Sequence, residues 1–231
     1  IKVIKKQKFD LIKIKGKNKI RSFNYNIPSD ISSSAFFIAL TALSFGSKLK
    51  IKNVNINPSR EGSIKIFRMM GIKVHFKNVR NYKGERIADI YVKSTKLLKA
   101  IKCPTRLNSS SIDEFLVIFL VAAKAKGISY FKDLSELNQK ESPRLIWGSK
   151  ILRLMGVKNI VTKNSIKIYG NPNLKITKKI EIKNYLKDHR VFMTSVIAAL
   201  SFGGKWIIHD KDSIKTSFPS FLEKINNLKK R

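Results

Sequence analysis

The chain reads as an α/β protein built from three copies of one unit, each roughly 80 residues long. Three observations predict this. A mostly apolar stretch closed by glycine occurs at 33–46 and recurs at 112–127 and at 188–203. An alternating apolar and polar segment follows each of them, at 49–54, 128–133 and 206–210. A second helical stretch then follows, at 60–70, 143–155 and 217–228. The period is far too long for a solenoid repeat, so the units belong to one domain with pseudo-threefold symmetry. The first helix of each unit is apolar nearly all round, which places these helices in the domain centre.

Taken in order, residues 1 to about 26 form a separate alternating piece, with Phe9, Leu11, Ile12 and Ile14, predicted to be the last strands of a preceding, truncated domain. The start at Ile1 has no initiator methionine and no signal-peptide pattern, and reads as an internal cut in a longer chain. Ile27, Pro28, Ser29 and Asp30 would be the crossover into a C-terminal domain, 27–231, with repeats at about 27–95, 96–171 and 172–231. In the first repeat, the helices stop at Gly46 and Gly71, where glycine takes the left-handed conformation of a helix end. A hairpin of 72–76 with 87–93 completes it. In the second, Gly127 and Gly156 are the stops, and 157–162 pairs with 166–169. Pro143 suits a first helical position, with Ser142 as the expected N-cap. Arg144 would then lie in the first turn, where free N–H groups and the helix dipole favour an anion. The third repeat ends at its second helix.

With 231 residues, 43% of them hydrophobic, the chain has ample material for a buried core. It has no run of about 18 uncharged apolar residues, so no membrane span is expected. The lone Cys103 excludes an internal disulfide and thiolate clusters, and suits a reducing cytoplasm. As a nucleophile Cys103 has little support, with no helix start or histidine near it. A net charge of +33 would attract nucleic acid non-specifically. A dedicated binder clusters its cations and interleaves aromatic residues, whereas here lysine is spread over every segment. Compositional drift toward Lys, Ile and Asn accounts for most of that charge. A few selected cations remain for function. A basic nucleic-acid-binding module and a catalytically silent scaffold of the same fold remain as alternatives.

Several short stretches carry more specific information. They are residues 27–36, the run Asn57, Pro58, Ser59 and Arg60, and the run Ile112, Asp113 and Glu114. To these add Lys140 through Arg144, Asp188 with His189 and Arg190, and Ser217, Phe218 and Pro219. In sequence and order they resemble the motifs of the 3-phosphoshikimate 1-carboxyvinyltransferase (EPSP synthase) family. The resemblance covers almost the whole chain, as the C-terminal half of such an enzyme. The sister family, UDP-N-acetylglucosamine enolpyruvyl transferase, shares the fold but lacks this set of motifs.

The resemblance implies an inside-out α/β barrel of βαβαββ units, with the active site in a cleft between two domains. The implied reaction transfers the enolpyruvyl group of phosphoenolpyruvate to the 5-hydroxyl of shikimate 3-phosphate and releases phosphate. It belongs to the shikimate pathway to chorismate and aromatic amino acids, in the cytoplasm. No metal or redox cofactor is implied, consistent with the lack of ligand spacing among His75, His189, His209 and Cys103. The partners implied are the two substrates and the missing N-terminal domain, in an enzyme expected to be monomeric when full length, with no specific nucleic acid and no membrane.

By resemblance, Asp113 accepts the hydroxyl proton and holds the shikimate ring, with Glu114 in support. Its position before an apolar run reads equally as an N-cap. Lys140 would bind the shikimate moiety. Glu141 would move a proton to and from the methylene carbon, which for a carboxylate between cations requires desolvation. Taken alone, Lys140 and Glu141 read as a solvated ion pair. Arg144 and Arg190 would clamp phosphoenolpyruvate through bidentate forks, with Lys215 as a further phosphate contact. On the other reading Arg190 is a surface residue paired with Asp188. Three departures from the family pattern stand out. Pro143 replaces a usual Asp that would orient Arg144, Ser29 replaces a Gly at the crossover, and Thr216 stands where many relatives have Lys. These imply tuning rather than loss of function.

Overall fold

A computed structural model describes residues 2–7, 9–16 and 22–228. Parts of the expected N-terminal strands, at 1, 8 and 17–21, and the end of the chain at 229–231 lie outside the described residues. Strands β1 (Lys2–Lys5) and β2 (Asp10–Lys13) pair as an antiparallel hairpin, apart from the sheets that follow.

Three helices form the centre: α1 (Ile31–Leu43), α3 (Phe115–Lys124) and α5 (His189–Phe202), each in contact with the other two. Residues 115–123 of α3 are all buried. That helix is rich in Phe, Val and Ile, which lose side-chain freedom in a helix, so burial rather than propensity holds it. Each such side chain contributes roughly 1.5–3 kcal/mol when fully buried. Phe115 and Phe119 pack on Phe131, while Phe36 and Phe37 pack on Phe221.

Around the centre, β3 (Lys48–Asn55), α2 (Gly62–Met69), β4 (Val74–Tyr82) and β5 (Glu85–Lys93) follow α1. After α3 come β6 (Gly127–Phe131), α4 (Arg144–Leu154), β7 (Asn159–Val161) and β8 (Ile166–Gly170). The two sheets share one topology, β3-β5-β4 and β6-β8-β7, all antiparallel. The third copy has β9 (Lys179–Ile182), α5, β10 (Lys205–Ile208) and α6 (Phe221–Leu228). No element is predicted for 172–187, yet β9 forms there, with Ile180 and Ile182 buried, and pairs with β10 in parallel. Parallel bridges Ser29↔Val54, Lys99↔Lys126 and Lys102↔Tyr130 do the same around α1 and α3. Every copy thus opens with a strand or bridge that its central helix links to the next strand, the βαβ part of the βαβαββ unit.

Several boundaries move for local reasons. The chain winds through 3₁₀ turns at Thr105–Leu107 and Ser109–Ser111, so α3 starts at Phe115 and not at 112. Another turn, Pro58–Arg60, precedes α2. Gly62 opens α2 against the 109–111 turn, where an added Cβ would lie 2.7 Å from the carbonyl carbon of Ser110. The β4–β5 hairpin is longer than predicted because Lys83 and Gly84 both take positive φ, the geometry of a tight two-residue hairpin turn. Asn53 and Asn78 also take positive φ, at bulges in β3 and β4 on either side of β5. Buried Asp89 joins the two bulges. It accepts from Asn53 N at 3.0 Å and Asn78 Nδ2 at 2.9 Å, with Lys50 Nζ at 3.1 Å.

Candidate active site

The first turns of α1, α3 and α5 meet at one end of the central bundle. Ser32 Oγ in α1 donates to Glu114 Oε1 at the start of α3. Arg190 Nη1 in α5 donates to the backbone carbonyl of Asp113 at 2.9 Å. Asp30 caps α1 by accepting from Ser33 N, and Asp188 caps α5 by accepting from Arg190 N. Three helix dipoles and several carboxylates therefore share a small volume.

Arg144 is the hub. It is only 1% exposed, and it makes four hydrogen bonds to three carboxylates. Its Nε reaches Asp188 Oδ2 at 2.9 Å and its Nη1 reaches Asp113 Oδ1 at 3.2 Å. Its Nη2 donates to Glu141 Oε2 and, at 3.3 Å, to Asp188 Oδ1. Guanidinium suits such a site, because its planar fork offers five donors and never loses its charge. Ser142 is not the helix cap expected of it. Its Oγ donates to Asp188 Oδ2 at 2.8 Å, and Pro143 takes the cap position, its carbonyl accepting from Trp147 N. A carboxylate at 143 is not needed to orient Arg144, since Asp188 does so from another repeat.

Asp113 does not cap α3, whose cap position is held by Glu114. Its carboxylate faces three guanidinium groups, with Arg190 Nη2 at 3.8 Å and Arg60 Nη2 at 3.9 Å besides Arg144. Asp113 is 26% and Glu141 52% exposed, so both proton-carrying candidates are reachable, whereas Arg144 and Asp188 lie beneath them. Arg190 is no surface residue, and its guanidinium points to Asp113 and not to Asp188.

Burial shapes the titration of the cluster. It works against the ionised form of Asp188, yet the hydrogen bond and charge of Arg144, with Ser142 and the Arg190 amide, outweigh it and hold the carboxyl below the usual range. Burial pushes the Glu114 carboxyl up, against the hydrogen bond from Ser32 and the charge of Arg190. Burial and then the charge of Arg190 push His189 down, toward the neutral ring at pH 7. Outside the cluster, burial raises Cys103 to about 11, which keeps it a thiol. The loop leading into Asp188 is strained. Asn184, Leu186 and Lys187 all take positive φ, held by buried Tyr185, whose hydroxyl donates to the His209 carbonyl.

The remaining predicted cations stand elsewhere. Lys140 Nζ pairs with Glu136 at 3.0 Å, and exposed Lys215 pairs with Asp212 at 2.9 Å. Ser29 lies in the parallel bridge to β3, with its Oγ donating to Lys52 O at 3.0 Å, and φ there is not positive. Among the described residues no group of three or more His, Cys, Asp or Glu is placed to hold a metal ion.

A family model described as EPSP synthase (3-phosphoshikimate 1-carboxyvinyltransferase) matches residues 1–225. The chain belongs to the EPSP synthase family. The 3-phosphoshikimate 1-carboxyvinyltransferase of Ruthia magnifica subsp. Calyptogena magnifica is 39% identical over 225 residues, 97% of this chain and 50% of the relative. That of Hydrogenovibrio crunogenus is 36% identical over 217 residues, 94% of this chain and 48% of the relative. The solved EPSP synthase from Acinetobacter baumannii superposes with a TM-score of 0.87 at 34% identity, covering 98% of this chain and 51% of that one. The enolpyruvyl transferase NikO from Streptomyces tendae, at 14% identity and a TM-score of 0.66 over 85% of this chain and 42% of its own, shares the fold alone. The chain spans about half the length of the curated EPSP synthase relatives it matches.

Arg60, Ser32 and Asp188 also belong to the cluster, beyond the residues to which the sequence assigned roles. The repeat offers a signal for Asp188, because Asp30 and Asp188 open equivalent helices and both cap them. Ser32 and Arg60 sit in the family-like runs 27–36 and 57–60, but neither run shows that the two meet, since the rest of α1 and β3 separate them along the chain.

Proposed function

We propose that this chain is the C-terminal half of an enzyme transferring the enolpyruvyl group from phosphoenolpyruvate to the 5-hydroxyl of shikimate 3-phosphate. The observation that carries the proposal is the convergence of Asp113, Glu141 with Arg144, and Arg190, from three separate segments, onto one end of the three central helices. Arg144 donates to both carboxylates, so an anion that takes their place on its guanidinium, with Arg190 beside it, lies next to both proton carriers. Asp113 takes the proton of the 5-hydroxyl as its oxygen bonds to the central carbon of phosphoenolpyruvate, and Glu141 protonates the methylene carbon. The tetrahedral intermediate then returns a proton from that methyl carbon to Glu141 as the phosphate bond breaks. The guanidinium groups stabilise the charge on the departing phosphate. Lys140, near in sequence, serves the shikimate moiety and Lys215 a phosphate, both on release from their acidic partners. The fold of residues 27–231 is one domain of the enzyme, and 1–26 the last strands of the other. The enzyme is monomeric and cytoplasmic, and acts on small molecules.

The test is thermal unfolding of the intact enzyme with shikimate 3-phosphate and phosphoenolpyruvate together. Ligand-induced protection is expected, and Arg190→Ala is expected to remove it. Protection undiminished in that variant argues against the clamp.

A further inference from the structure

We propose that Arg60 is a third anion-binding guanidinium of this cleft, held ready by Ser32 and the buried Glu114. The inference rests on the EPSP synthase reading above and extends it to a residue outside the clamp. The three arginines around Asp113 are not equivalent. Arg144 is buried and fixed by Asp188, and Arg190 is 12% exposed with its guanidinium on a backbone carbonyl. Arg60 is 50% exposed, and its guanidinium has one short bond, from Nη2 to Ser32 Oγ at 2.8 Å. The Asp113 carboxylate lies 3.9 Å from that same nitrogen, beyond hydrogen-bond distance.

The support beneath Arg60 is directional. Ser32 accepts from Arg60, so its one hydroxyl proton goes to Glu114, which is 2% exposed. A buried carboxylate aimed at a serine is an expensive way to fix an exposed side chain. It becomes reasonable where the cation above must hold its place until a negative group arrives. Arg60 also borders a cavity of about 440 Å³ lined by Tyr25, Pro28, Asp30 and Asn57, between the crossover segment and the turn before α2. Arg60 thus borders both that cavity, which Glu85 also lines, and the Asp113 carboxylate. The group its guanidinium would take is a phosphate or carboxylate of either substrate.

The experiment measures binding of phosphoenolpyruvate alone and of shikimate 3-phosphate alone to the intact enzyme, with steady-state kinetics alongside. Arg60→Ala is expected to weaken one of the two by about tenfold or more, the scale of a hydrogen bond to a charged group. The matching KM should rise more than kcat falls, and Arg60→Lys should recover part of the loss. Ser32→Ala is expected to give a smaller loss that disappears in the Arg60→Ala background, which a purely structural role for Ser32 would not produce. Wild-type affinity for both substrates in Arg60→Ala overturns the proposal and leaves the enzyme assignment standing. Failure of the unaltered enzyme to bind either substrate removes the assignment and the proposal together.

Discussion

Arg144 would be an improbable buried residue if its charge were not matched, since an unpaired cation in that position is prohibitive. Asp188 is its deepest partner and also the cap of α5, so one carboxylate fixes both a side chain and a helix start. Asp188→Asn keeps the shape and removes the charge. It is expected to destabilise the fold by about 3–5 kcal/mol, the usual result of breaking a buried pair, measured by urea unfolding at pH 7. A loss under about 1 kcal/mol would mean that Asp113 and Glu141 suffice for Arg144. The chain's ten arginines, against 38 lysines, make the same point by composition. Three of them surround Asp113, where a planar fork matters, while lysine dominates elsewhere. The positions of Asp113, Glu141, Arg144 and Arg190 were legible as motifs. Their partners were not, because the pairs join different repeats, cross a turn or, for Asp113 with Arg144, span 31 residues of one repeat.

Among the elements, the β3-β5-β4 sheet gives a pH-dependent test. Hydrogen bonds from Asn53 N and Asn78, with the Lys50 charge, hold the Asp89 carboxyl at about 2. An unfolded aspartate titrates near 3.9. Asp89 therefore contributes stability that is fully present above about pH 4 and is lost as pH falls through about 2. Asp89→Asn is expected to be less stable than the parent at pH 7, with the gap closing between those two values in chemical unfolding across pH. A gap independent of pH would reduce Asp89 to a packing residue. Helix α2 offers another test at this scale. Gly62→Ala forces a methyl group against Ser110 backbone in the turn that delivers Asp113. Overpacking of that kind costs about 1–3 kcal/mol, and here enzyme activity should fall as well, since the site moves with the turn. Gly46→Ala, with open space and φ of +75°, is the control, and should lose stability with activity intact.

For the molecule as a whole, the charge of +33 sets up a competing expectation. Any affinity of this chain for DNA should be non-specific and fall steeply with added salt, measured by fluorescence anisotropy from low to physiological ionic strength. Binding that survives high salt would revive a nucleic-acid role. The 231-residue chain alone is expected to bind phosphoenolpyruvate weakly and to form no product, because it spans about half the length of its relatives. Product formation by that chain alone, followed as phosphate release, would place the whole catalytic apparatus in it.

The threefold repeat, the central helices and most strands were determined by sequence alone. Period and apolar content act over a few consecutive residues, and the core enforces what they specify. Strand β9 is not legible in the sequence because four alternating residues are too short a signal without the parallel partner that pairs with them. Tertiary structure alone decided that Ser142 serves Asp188 rather than a helix end, that Asp113 faces cations, and that Arg60 joins them. These outcomes depend on electrostatic pairing between groups 28 to 82 residues apart along the chain, a distance that no local pattern encodes.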